Sequence, residues 1–179
     1  MTAAEQAIVL VTGIQASGKS TVAQALAERL PRSVHVRGDL FRRLVVNGRA
    51  DPAPPLSTEA TAQLRLRHRL LAQTADAYFE AGFTVVAQDV ILGEHLPDTV
   101  ALIRNRPLLL LVLAPSPEAV TARERARPKT AYGAWTVAAL DTELRSRTPR
   151  IGLWLDTSRQ TAPETVDEIM SRAWTEAAV

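Results

Sequence analysis

AIVLVTGIQASGKS, Ala7 to Ser20, decides how the rest of the chain is read. Its first six residues form an apolar run of strand length, as a parallel strand buried on both faces requires. Its last eight, Gly13 to Ser20, fit the phosphate-loop pattern of glycine, four residues, then Gly-Lys-Ser. Beyond it Val22, Leu26 and Leu30 recur at helical spacing until Pro31. Strand before and helix after are the context the pattern needs. Its glycines let backbone N–H groups turn inward as an anion nest, and the helix N-terminus adds its positive end. Lys19 brings a mobile charge to the β- and γ-phosphates, and Ser20 offers a hydroxyl to Mg²⁺. The expected nucleotide-binding residues are Gly13, Ile14, Gln15, Ala16, Ser17, Gly18, Lys19, Ser20 and Thr21. Lysine occurs only at positions 19 and 129; every other strong base is arginine. A chain biased towards arginine thus has lysine where a phosphate loop requires it.

The same alternation continues along the chain. Ser33 to Arg37 reads as a second strand, and Asp39 opens a short helix, DLFRRLVV. A polar, proline-rich loop, Asn47 to Pro55, leads to a long helix over Ser57 to Ala81, its apolar face marked by Leu64, Leu71, Ala75 and Tyr78. Phe83 to Ala87 is a third strand, ending at Gln88-Asp89. Leu96 to Arg104 is helical, and Leu108 to Leu113 is a fourth strand. Ser116-Pro117-Glu118 starts a helix with cap, proline and acid in their preferred places. Trp135 to Leu144 is helical, and Ile151 to Asp156 is a fifth strand. Thr161 and Glu164 are spaced as a capping box for a last helix. Strands alternating with helices predict an α/β fold: a P-loop NTPase three-layer α/β/α arrangement with a five-stranded parallel sheet. A short arginine-rich lid is expected over about 123–135, within one domain spanning 1–179.

Composition bounds the partners. The 179 residues are 46% hydrophobic and 22% charged, with a formal net charge of +2. The arginines are spread along the chain, so no nucleic-acid partner is expected. The absence of cysteine excludes a disulfide framework, a thiolate metal site and a cysteine nucleophile. The longest greasy run, Leu108 to Ala114, is strand-sized, so no membrane partner is expected. MTAAEQ lacks a basic stretch before an apolar one, and a cytoplasmic location is expected. Nothing in the sequence sets an oligomeric state.

Ligands of such a sheet bind outside the carboxyl ends of its strands. Asp39 follows strand two, where it can accept the proton of an attacking hydroxyl or hold Mg²⁺ through water; the base role is the reading preferred here. Arg42 and Arg43 share its helix face and can bind an acceptor or a transferring phosphate. Asp89 ends strand three, the usual place for a second carboxylate near Mg²⁺ or its water shell, and is also a candidate base and acceptor-side group. Arg123 and Arg127, four apart, can close over phosphates, excluding water and neutralising transition-state charge. Lys129 is a further lid candidate. Arg159, after strand five, can stack on the nucleotide base, and Ser158 can hydrogen-bond it. His35, His68 and His95 lack ligand spacing and read as structural or solvated. Tyr132, Trp135 and Trp154 can line an apolar acceptor pocket, although Trp154, in a strand, fits core packing better.

Together these residues resemble the small phosphate-loop kinases, and within them the chloramphenicol phosphotransferase-like group. The resemblance is carried by GIQASGKS, GDLFRRL after strand two, VVAQDVILGE around Asp89, KTAY at 129–132 and WLDTSRQT near the end. It implies the fold of nucleoside monophosphate kinases, ATP with Mg²⁺, and Asp39 as the base towards a substrate hydroxyl. It also implies a small hydroxylated acceptor, antibiotics among the possibilities. Gln88 departs from the pattern, standing where an acidic residue is expected beside Asp89, and the segment 136–150 is longer. Adenylylsulfate kinases and zeta-type toxins share the Gly-Asp and arginine patterns. A nucleoside monophosphate kinase or adenylylsulfate-kinase-like enzyme therefore stays open as an alternative, as does an ATP-dependent interaction or toxin protein.

Overall fold

A computed structural model describes residues 5–126, 128 and 133–179. Five strands form one all-parallel sheet in the order β2-β3-β1-β4-β5. They are β1 (Ile8–Thr12), β2 (Ser33–Arg37), β3 (Thr84–Gln88), β4 (Leu108–Leu113) and β5 (Leu153–Leu155). The helices are α1 (Lys19–Arg29), α2 (Gly38–Arg43), α3 (Thr58–Glu80), α4 (His95–Leu102), α5 (Pro117–Arg125), α6 (Val137–Thr142) and α7 (Ala162–Glu176). A π-helical turn, Glu143–Arg147, extends α6. The expected α/β/α layering and five-stranded parallel sheet are present.

Alternation along the strands builds the three layers. Ile8 and Leu10 of β1 face α3, α4 and α6, packing with Leu71, Ala75, Leu96, Leu110 and Leu144. Val9 and Val11 face the other way, towards α1 and α7, packing with Leu26, Leu111, Val166 and Ile169. Fully burying each such side chain contributes roughly 1.5–3 kcal/mol. The three central strands, β1, β3 and β4, are buried throughout, which explains their largely apolar runs; β2, at the edge, is only partly buried and carries His35 and Arg37.

Several elements differ from the sequence reading at their ends. β5 is confined to the three residues that pair with Leu111, Val112 and Leu113 of β4. α2 stops at Arg43, leaving Val45 and Val46 outside it. Trp135 precedes α6, which is capped instead by the Thr136 hydroxyl accepting from the Ala139 N–H. The inner face of α3 keeps Leu71 and Ala75, but Tyr78 is exposed and His68 and Asp76 are buried in the seam. Asp76 is satisfied there because its carboxylate accepts from the backbone N–H groups of Arg104 and Asn105 and from the Asn105 amide.

The sheet order places the site. From central β1 the chain visits β2 and β3 on one side, then β4 and β5 on the other. The resulting crevice opens beyond the carboxyl end of β1, where the phosphate loop begins.

Candidate active site

The loop after β1 is turned inward by its backbone. Gly13 has φ 148, and a Cβ there would stand 2.5 Å from the Leu113 carbonyl oxygen, so only glycine fits. Ala16 is in the left-handed region at φ 60, a conformation costly for a side chain with a Cβ. Lys19 is buried, and its ammonium donates to the Ile14 carbonyl at 2.7 Å, under the loop. Ser17 is 1% exposed, and its hydroxyl has no hydrogen-bond partner among the described residues. A buried unpaired hydroxyl costs about 1–3 kcal/mol, which an arriving phosphate oxygen would offset. The loop therefore fits a nucleotide phosphate. Thr21 is exposed, one residue beyond the loop.

Gln88, the last residue of β3, donates its side-chain amide to the Ser20 hydroxyl at 3.2 Å. Asp89 is 4% exposed, and both its oxygens accept from the Arg67 guanidinium of α3, Nε to Oδ2 at 2.5 Å. The Val90 N–H donates to the same carboxylate. Among the described residues no cluster of three or more histidine or acidic side chains can hold a metal.

Asp89 also packs against Gly38, where any Cβ would collide with its carboxylate. Close approach, rather than a turn, is what requires glycine at 38. Asp39 follows, half-buried, with Arg43 at 2.6 Å and Arg42 at 3.2 Å. Burial works to raise its pKa, but hydrogen bonds and charge from Arg42 and Arg43 outweigh it and hold the carboxyl below its usual range. Arg42 also meets Asp51 of the proline-rich loop at 2.6 Å. A continuous series of contacts thus runs from Ser20 through Gln88, Asp89 and Gly38 to Asp39.

On the other side of the phosphate loop, Arg123 near the end of α5 donates to the Ser17 carbonyl at 3.2 Å and the Thr157 carbonyl at 2.6 Å. It ties the loop to the segment after β5. Ser158 accepts from the Ser116 N–H at 2.7 Å and bonds to Asp156. Arg159 is exposed and makes none of these contacts. A cleft of about 450 Å³ lies between the start of α5 and β5, lined by Arg145, Arg150, Trp154 and Asp156 among others. No phosphate-loop residue lines it. Arg127, Lys129 and Tyr132 lie outside the described residues, and with them part of the expected lid.

The loop and Asp39 are legible in the sequence from position alone. Gln88 on Ser20, Arg67 on Asp89, Asp51 on Arg42 and the buried state of His68 are not. Arg67 sits in LRLRHR, where nothing marks one arginine as turned towards the sheet.

A family model for the AAA domain matches residues 8–150. The chain belongs to that family. None of the curated proteins matches it. Among solved structures it is similar to an unliganded sugar kinase from Janibacter sp. HTCC2649, with 22% identity over 93% of both chains and a TM-score of 0.69. The tunicamycin resistance protein of Deinococcus radiodurans shares 19% identity over 98% of this chain and 100% of its own, with a TM-score of 0.67. The APS kinase of Mycobacterium tuberculosis, in complex with AMPPNP and APS, shares 20% identity over 93% of this chain and 96% of its own, with a TM-score of 0.66. At such identities the likeness is one of fold, and the fold is that of P-loop kinases.

Proposed function

We propose that this protein is an ATP-dependent phosphotransferase that moves the γ-phosphoryl group to a hydroxyl of a small molecule. The observation that carries the reading is the run of contacts from Ser20 to Asp39. It joins the phosphate loop to the Asp39 carboxylate through Gln88 at the end of β3 and Asp89 just beyond it, which supports an acceptor-side role for Asp39. A protein that only binds nucleotide has no use for the second half.

In this reading the loop N–H groups and Lys19 hold the phosphates, and Lys19 neutralises charge as it moves to the leaving oxygen. Ser20 would hold Mg²⁺, with Gln88 or Asp89 at its water shell, and the ion would supply positive charge to offset that of the phosphates. Asp39 accepts the acceptor's hydroxyl proton while the new O–P bond forms and the bond to the ADP oxygen breaks. Arg42 and Arg43 orient the acceptor. Arg123 holds the phosphate loop against the segment after β5, and with Arg127 would close over the transition state. Arg159 borders the nucleotide base. The chain works as one domain, in the cytoplasm where ATP is supplied.

Acceptors to be tested follow from the fold relatives as well as from the site: sugars, adenylylsulfate, nucleoside monophosphates and hydroxylated antibiotics. Purified protein with MgATP and such a library should give one acceptor that gains the mass of one phosphate as ADP appears. Tight ATP binding with no acceptor phosphorylated, and a protein partner retained only with ATP, would favour an interaction or toxin role instead.

A further inference from the structure

We propose that the acceptor carries an anionic group besides its hydroxyl, and that Asp51 holds that group's place on Arg42 until it arrives. The proposal rests on the phosphotransferase reading and narrows its substrate class.

The ion pairs around Asp39 form a chain, Arg43–Asp39–Arg42–Asp51–Arg49. It contains three guanidiniums and two carboxylates, leaving one positive charge in excess beside the residue assigned as base. Asp51 is not part of a helix or strand. It is delivered by a loop pinned on either side of it. Gln63 of α3 bonds the Gly48 carbonyl at 2.8 Å and the Ala50 N–H at 2.9 Å. Trp135 donates its indole N–H to the Pro52 carbonyl at 2.9 Å. The loop is therefore held by contacts that do not involve Asp51, and the carboxylate meets Arg42 as an added element.

That contact is easily exchanged. Arg42 and Asp51 are 32% and 48% exposed, and a pair so open to water is worth only about 0–1 kcal/mol. A carboxylate, sulfate or phosphate on the acceptor offers the same oxygens to the planar fork and can bind it in two-pronged fashion. When the acceptor anion takes Arg42, it also draws that guanidinium from Asp39. Arg42 is one of the two groups that hold the Asp39 carboxyl low. Asp39 thus becomes a stronger base only when the acceptor is in place. A neutral alcohol would leave both arginines where they are.

The test uses the full chain saturated with Mg²⁺ and AMPPNP, so that the phosphate loop is filled, and inorganic sulfate as the probe in calorimetric titrations. The wild type should bind sulfate weakly. Asp51→Asn should bind it about three- to five-fold more tightly, the equivalent of removing an exposed competing pair. Arg42→Gln should lose it. An unchanged thermal midpoint for Asp51→Asn checks that the loop is intact. Sulfate affinity indifferent to both substitutions, or absent in all three proteins, overturns the proposal. A second arm compares phosphoryl transfer to gluconate and glycerol 3-phosphate with transfer to sorbitol and glycerol. Transfer that prefers the neutral member of each pair overturns the proposal and leaves the phosphotransferase reading standing. Sulfate binding that responds to Asp51 and Arg42 in a protein that transfers phosphate to nothing would keep the anion site and remove the phosphotransferase reading.

Discussion

The side-chain amide of Gln88 reaches the Ser20 hydroxyl at 3.2 Å, while the carboxylate of its neighbour Asp89 is taken up by Arg67. The neutral residue of the pair therefore stands at the phosphate loop, and the acidic one is turned into the protein. Gln88→Ala should raise the Mg²⁺ concentration for half-maximal ATP turnover about tenfold, the cost of losing a residue that orients a metal-binding group. Titration of ADP release against Mg²⁺ at fixed ATP measures it. An unaltered Mg²⁺ requirement would separate Gln88 from the metal.

Asp89→Asn should act first on stability. Asp89 is almost fully buried and Arg67 is 13% exposed, so removing one charge strands the other. Breaking a buried pair in this way costs about 3–5 kcal/mol. Urea unfolding should show that loss, and the paired change Asp89→Leu with Arg67→Met should recover much of it. An Asp89→Asn protein as stable as the wild type would mean that Arg67 finds water.

His68 makes the fold sensitive to mild acid. Burial is the largest influence on it and brings its pKa down to about 4, from 6.5. The unfolded chain takes up this proton near pH 6.5 while the folded one resists until about pH 4. Stability should therefore fall as pH drops through that window and level off below it. A shift of that size corresponds to about 3 kcal/mol. In His68→Leu, denaturation midpoints between about pH 7 and pH 4.5 should slope less steeply than in the wild type; equal slopes would contradict this origin.

Arg123→Ala should weaken nucleotide binding about tenfold and lower the thermal midpoint. The guanidinium bonds the Ser17 carbonyl within the phosphate loop and the Thr157 carbonyl after β5, and hydrogen bonds from a charged group are worth about 1.5–3 kcal/mol. Equilibrium binding of ATP compares the variants. Arg123→Lys, which cannot span both carbonyls with one planar fork, should recover little.

The sheet and phosphate loop were legible in the sequence because each follows from a local rule. Strands buried on both faces must be apolar throughout, and an anion nest needs glycines at fixed places. Asp39 was legible by position alone, in the first turn of the helix after β2. Arg42 and Arg43, its ion-pair partners, were legible from their i+3 and i+4 spacing, but the partners that come from distant segments were not. Arg67 reaches Asp89 from 22 residues away and Arg123 reaches Thr157 across 34. Such pairings depend on how helices pack, and one arginine in LRLRHR looks like its neighbours. His68 and Asp76 eluded the apolar pattern of α3 because polar groups can occupy a seam when the fold brings them a partner or a dry neighbour. Asp76 has the backbone N–H groups before β4, and His68 packs edge-on against His95, ring centroids 5.7 Å apart.

The central claim is that Asp39 makes this a site of transfer. The direct measurement is ATP affinity and phosphoryl transfer to the identified acceptor, for the wild type and Asp39→Ala. ATP affinity should stay within about twofold, since Asp39 lies outside the phosphate loop. Transfer should fall by about 10²–10⁴, the usual contribution of a positioned general base. Asp39→Ala that binds ATP normally and transfers at nearly the wild-type rate would contradict the account.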